Sequence, residues 1–240
     1  MSKKFKAPRG TADVTPLNAH RWHHLESTFA EVAHLYGYGE VRTPIFEETD
    51  LFVRTSGDTS EVVTKQMYTF RDKGDRSMTL KPEGTAPAIR AYLEHNLGVQ
   101  GQITRLWYNT PFFRYERPQK GRLRAPHQFG VELIGSATPT ADAEVIELTV
   151  DFYKRLGIPD IKVQVNCIGR NESRGRYQEA ILTHATGWLT DQDEETRERV
   201  AKNPLRLLDS KSPEVQEMLS DAPFIHDFLS DESKAKFDEL

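Results

Sequence analysis

A single cysteine, Cys167, occurs in 240 residues, so neither an intramolecular disulfide nor a cysteine metal cluster can form. An excess of positive charge is also missing: 32 Lys and Arg stand against 36 Asp and Glu, and the net charge is -4. Bulk charge therefore does not announce nucleic acid, and any RNA contact has to use a local basic patch. No apolar run approaches membrane-spanning length, and the opening stretch MSKKFKAPRG has no apolar h-region. A cytoplasmic location without a membrane is the default expectation. No internal repeat or low-complexity run stands out either. What is present, 37% hydrophobic and 28% charged, is the balance of a globular protein with a real core.

The stretch from Arg105 to Gly135, RLWYNTPFFRYERPQKGRLRAPHQFGVELIG, is the richest in polar and aromatic alternation. Period two predicts strands over Pro111–Arg117 and His127–Ile134, joined by a loop that holds Pro118, Gly121 and Pro126. Phe129, Val131 and Leu133 then share one face, fit for a core. The opposite side collects Arg114, Glu116, Gln128 and Glu132 around Gly130, which has no side chain to fill the space. An ordinary wet face explains this pattern. So does a concave set of donors and acceptors that orients a polar ligand. The loop adds Lys120, Arg122 and Arg124 to Arg117 at its root, either a solvated charged turn or a triphosphate clamp.

Elsewhere, Thr15-Pro16 is expected to open a helix whose stripe is Trp22, Leu25, Phe29, Val32 and Tyr36. A strand from Tyr38 to Ile45, broken by Pro44, should follow. Gln66–Phe70 and Ser77–Leu80 read as a β-hairpin. Glu83 and Thr85 sit at a strand-to-helix junction, with the helix running to about Leu97. N-capping accounts for Thr85 and poorly for Glu83, which precedes the cap. A helix is expected over Ala141–Leu156 and a strand over Lys162–Cys167, with Cys167 as a small core hydrophobe. From Gly169 onward the pattern is helical and charged, beginning with the cluster Arg170, Arg174 and Arg176.

FRYERPQKGRLRAPHQFGVELIG resembles the second signature motif of class II aminoacyl-tRNA synthetases, and in detail that of the histidyl-tRNA synthetase family. TLKPEGTA is similar to that family's amino-acid-binding segment, with Lys81 where most members carry arginine. The long helix and the strand ending at Pro44 resemble the first motif, which forms the dimer interface in the family. PLRLLDSKSPEVQ is similar to the family's helical insertion.

The resemblance implies an α+β fold, a class II synthetase-type antiparallel sheet flanked by helices and followed by a small helical module. It implies residues 1–168 as the N-terminal part of the catalytic core and 169–240 as the insertion. The third motif, the histidine-specific segment and the anticodon-binding domain are expected beyond Leu240, so the isolated chain is expected to be inactive or weak. It further implies activation of L-histidine by ATP with Mg2+, transfer to tRNA(His), and a homodimer. By resemblance, Arg114 is catalytic and meets the α-phosphate and the histidine carboxylate. Glu116 and Arg122 join it on ATP, and Glu83, Thr85, Gln128 and Glu132 read histidine. Arg170, Arg174 and Arg176 would meet tRNA. No metal ligand is expected from the protein alone. Pro126 stands where the family usually places a loop aromatic. The competing readings are a histidine-sensing regulatory subunit of ATP phosphoribosyltransferase, expected to lack the helical insertion, and a general RNA-binding module, which the acidic balance opposes.

Overall fold

A computed structural model describes residues 5–56, 60, 62–98 and 102–240, and they divide into two compact units. The first comprises residues up to Ala137 together with Ala141–Ile161, and the second comprises Thr138–Thr140 and Lys162–Leu240.

The first unit opens with helix α1, Ala19–Leu35. It starts later than Thr15-Pro16 suggests. Asn18 Oδ1 accepts from the Thr15 amide at 2.7 Å, so those residues make a side-chain-closed turn ahead of the helix. Of the expected stripe, Phe29 and Val32 are buried, and Gly37, at φ 77°, ends the helix. Of the expected strand 38–45 only β1 (Gly39–Glu40) forms, and β2 (Phe46–Glu48) begins just beyond it in a different sheet. Pro44, between them, has no amide to donate to a ladder. Helix α2 is Thr49–Ser56. The hairpin expected next is present as β3 (Tyr68–Arg71) and β4 (Ser77–Leu80). Its turn is closed by Asp72, whose carboxylate accepts from the Gly74 and Arg76 amides at 2.8 and 3.0 Å. Helix α3 spans Thr85–Glu94 and stops short of Leu97, with His95 at its C-cap and Asn96 in left-handed geometry at φ 50°.

Strands β5 (Thr104–Pro111) and β6 (His127–Ile134) are antiparallel, with Tyr108 opposite Gly130. The first lies seven residues upstream of the expected 111–117. Leu106, Trp107 and Tyr108 are consecutive and all buried, so this strand offers no alternation to read, and the amides of 112–115 take mixed partners. The Phe112 and Arg114 amides donate to Pro126 and Arg124, whereas those of Phe113 and Tyr115 donate to Lys81 and Gln66. One sheet has the order β1-β5-β6, with β1 parallel to β5, and the other is antiparallel with the order β2-β4-β3.

Helix α4, Pro139–Arg155, closes the core. Phe29, Val32 and Ala33 of α1 meet Trp107, Leu148 and Phe152, with Phe129, Val131 and Leu133 packed beside them. Full burial of such side chains contributes about 1.5–3 kcal/mol each. Arg105 clamps Glu144 of α4 through two bonds of 2.7 and 2.8 Å. That guanidinium holds the Glu144 carboxyl below the usual range.

Lys162–Cys167 forms no strand, contrary to its alternation. Side-chain period is only half of what a strand needs, and no backbone among the described residues pairs with it. Val163 and Val165 are exposed, and Cys167 is only half-buried. The second unit is otherwise helical among its described residues: α5 (Asn171–His184), α6 (Thr186–Thr190), α7 (Glu194–Lys202), α8 (Pro213–Met218) and α9 (Asp231–Glu239). Asp193 caps α7 through the Thr196 amide at 2.6 Å, and Ser230 caps α9 through Ser233 at 3.2 Å. Tyr177, Ile181, Val200, Leu207 and Val215 form its core.

Candidate functional site

The outer face of the β5–β6 ladder presents Tyr108, Gln128, Gly130 and Glu132 on the side away from the core. The space over Gly130, expected to be open, is filled. Tyr108 lies there, only 4% exposed, and a Cβ on either Gly130 or Gly84 would run into its ring. The two glycines are the walls of a slot for one aromatic ring.

Above that slot sits the turn into α3. Glu83 caps the helix, correcting the expectation that capping explains it poorly. Its two carboxylate oxygens accept from the Thr85 amide at 2.5 Å and the Ala86 amide at 2.9 Å. Gly84 occupies the formal N-cap position and contributes no side chain. A carboxylate offers about four lone-pair sites, so each oxygen keeps one for a further donor. Gln128 Oε1 accepts from the Gly84 amide at 2.9 Å and ties the turn to β6. The Tyr108 hydroxyl stands 3.3 Å from Thr85 Oγ1 and donates to Glu132 Oε1 at 3.1 Å. Burial pushes the Glu132 carboxyl up, the Thr85 and Tyr108 hydroxyls pull it back, and the Glu83 charge pushes it up again.

Arg114 Nε donates to the Pro82 carbonyl at 2.9 Å, and its guanidinium lies 5.2 Å from the Phe112 ring centre. Its terminal amino groups have no protein partner among the described residues. Glu83 and Thr85 line a cavity of about 850 Å³ with Leu51, Arg90 and Leu93. Arg114 and Gln128 line a second, of about 410 Å³. Glu132 lines neither, and its Oε1 accepts from the Tyr108 hydroxyl.

Glu116 and Arg122 share a third cleft, of about 340 Å³, with Lys65, Tyr115 and Arg117. Arg122 reaches Glu116 at 3.7 Å and is 65% exposed. The loop between the strands turns at Lys120-Gly121, with Gly121 at φ 81°, a conformation that L side chains resist. Arg124 is structural. It lies 4.0 Å over the Tyr115 ring, donates to the Glu116 carbonyl at 3.1 Å, and its amide bonds to Gly10 at 2.6 Å.

Lys81 is 1% exposed, and among the described residues its ammonium has two long contacts, to the Thr43 carbonyl at 3.3 Å and its hydroxyl at 3.2 Å. Burial pulls its pKa down, and Glu47 partly restores it. Lys81 therefore braces the segment after β1.

The family model for histidyl-tRNA synthetase matches residues 10–171. The chain belongs to the histidyl-tRNA synthetase family. It is 48% identical over 235 residues to a histidine–tRNA ligase of Clostridioides difficile (strain 630), covering 98% of this chain and 56% of that protein. A histidine–tRNA ligase of Thermosynechococcus vestitus is 46% identical over 236 residues, again 98% of this chain and 55% of the relative. Apo histidyl-tRNA synthetase of S. aureus shares its fold, with a TM-score of 0.75 and 39% identity over 98% of this chain and 53% of that one. A Bacillus halodurans C protein described as an ATP phosphoribosyltransferase regulatory subunit/histidyl-tRNA synthetase is more distant, with a TM-score of 0.65 and 25% identity over 98% of this chain and 55% of that one. The chain spans about half the length of the curated relatives it matches.

In this histidyl-tRNA synthetase family chain, the three arginines of the helical unit differ in their engagements. Arg170 bonds Glu232 at 2.9 Å and Arg176 bonds the Phe228 carbonyl at 2.8 Å. Arg174 is exposed and has no side-chain partner among the described residues. Tyr108 escaped the sequence reading. Its signal lay in the register: an aromatic opposite a glycine on paired strands shows only once the strand starts at Thr104.

Proposed function

We propose that this chain carries the N-terminal part of a histidine–tRNA ligase core, activating L-histidine with ATP and passing it to tRNA(His). The observation that carries this reading is the platform of Glu83, Thr85, Gln128 and Glu132 set beside an Arg114 whose two terminal amino groups have no partner among the described residues. A carboxylate oxygen of histidine attacks the α-phosphorus of ATP. The bond to the β-phosphate oxygen breaks, and pyrophosphate leaves with the electron pair. A ribose hydroxyl of tRNA then attacks the carbonyl of the adenylate and expels AMP. Such transfers depend on positioning and charge stabilisation more than on a covalent nucleophile. Arg114 bridges α-phosphate and substrate carboxylate. Glu83 and Thr85 take the ammonium, Glu132 the imidazole, Glu116 the adenine edge, and Arg122 the γ-phosphate after leaving Glu116. Mg2+ enters as part of the substrate MgATP, held by its phosphates.

A homodimer through α1 and the β1–β2 segment, and a cytoplasmic location, go with this reading. No described helix is long and apolar enough to cross a membrane. Arg174 is the arginine of its cluster best placed for RNA phosphate. The regulatory-subunit reading is weaker. The chain resembles ligases at 46–48% identity, and its loop keeps both Arg114 and Arg122.

The test is histidine-dependent ATP–pyrophosphate exchange in the full-length protein. Arg114→Ala should lower the rate by about 10²–10³, as loss of one transition-state donor does. Equal rates for Arg114→Ala and the parent protein would contradict the assignment.

A further inference from the structure

We propose that Tyr108 is a positioning residue of the histidine pocket, its hydroxyl directing Thr85 and Glu132 so that both offer only lone pairs to the substrate's N–H groups. This rests on the histidine-binding reading above and deepens it.

The geometry supplies the direction of each proton. A phenol has one proton and two lone pairs, and an ionised carboxylate only accepts. The Tyr108 proton therefore goes to Glu132 Oε1, 3.1 Å away. Thr85 Oγ1 lies 3.3 Å from the Tyr108 oxygen and also bonds the Glu132 carboxylate. Thr85 has a single hydroxyl proton, and both of these partners lie inward. What Thr85 turns toward the cavity it shares with Glu83 is lone pairs. Glu83, with both oxygens already fixed by amides, does the same. The result is a pocket of acceptors, suited to a cation and to ring N–H donors.

The ring cannot drift from this position. It is wedged between the Gly84 and Gly130 backbones, where neither could carry a Cβ, and β5–β6 pairing fixes its height. Burial pushes the Tyr108 hydroxyl pKa upward, so it stays protonated and a donor at neutral pH. A pocket built to pair with N–H groups rejects an isostere lacking them by far more than an apolar slot could. Tyr108 thus bears on selectivity without touching substrate.

The experiment is Tyr108→Phe in the full-length protein, which keeps the ring between the glycines and removes only the hydroxyl. Exchange kinetics are measured against histidine, ATP and 2-thienylalanine, a histidine-sized amino acid whose ring has no N–H. The histidine KM should rise about tenfold to a hundredfold, the effect of losing a hydrogen bond to a charged group. The ATP KM should stay within about twofold by the same reasoning, and selectivity over 2-thienylalanine should narrow. If exchange is lost altogether, equilibrium dialysis with histidine reads the same affinity loss directly. An unchanged histidine affinity, or a rise in both KM values together with a lower melting temperature, overturns the proposal. Glu132→Gln is run in parallel. Weakened histidine binding there and not in Tyr108→Phe sinks the Tyr108 role alone. No effect in either variant sinks the histidine-site reading itself.

Discussion

The two halves of the candidate site are built in opposite ways. On the amino-acid side the acceptor side chains are already held. Glu83 is fixed by two amides, Gln128 by the Gly84 amide, and Glu132 by a hydroxyl wedged between two backbones. On the phosphate side the arginines are provisional. Arg122 is largely exposed and only 3.7 Å from Glu116, and the loop is anchored mainly through Arg124 on Tyr115 and Gly10. The difference follows from the ligands. A small amino acid offers few groups, so recognition depends on acceptors aimed in advance. A triphosphate carries enough charge to reorganise mobile guanidinium groups as it arrives.

That contrast can be broken by substitution. The largest effect is expected for Gly130→Ala, whose Cβ would meet the Tyr108 ring. Overpacking of this kind costs about 1–3 kcal/mol, and denaturant unfolding should show it. A variant as stable as the parent would mean that the slot is loose and the amino-acid half is not prebuilt. Arg122→Ala should change stability by less than about 1 kcal/mol, because an exposed pair contributes little. Its effect should appear in the ATP KM. A large loss of stability would mean that the loop is held as rigidly as the platform.

Periodicity alone revealed the parts whose partners lie close in sequence. The α1 stripe, the β3–β4 hairpin and α4 needed no knowledge of the rest of the chain. The candidate face of β6 was legible for the same reason: Gln128, Gly130 and Glu132 share a side by alternation. What periodicity could not supply was register between distant segments. The partner strand of β6 was placed seven residues late, so Tyr108 never came opposite Gly130 and the slot looked empty. Glu83 was not legible because a threonine at the junction makes Thr85 the expected cap, whereas the Glu83 side chain, two positions earlier, reaches the Thr85 and Ala86 amides. Lys162–Cys167 has the alternation of a strand and no partner among the described residues. Pattern is local, and pairing is not.

Amide hydrogen exchange, followed by peptide mass analysis on the protein free and with histidine or MgATP, tests this account most directly. It predicts that the 83–86 turn is protected before any ligand is added and gains little from histidine. The 118–124 loop should exchange freely and become protected only with MgATP. Equal protection of the two segments in the free protein, or a platform that orders only when histidine binds, would contradict it.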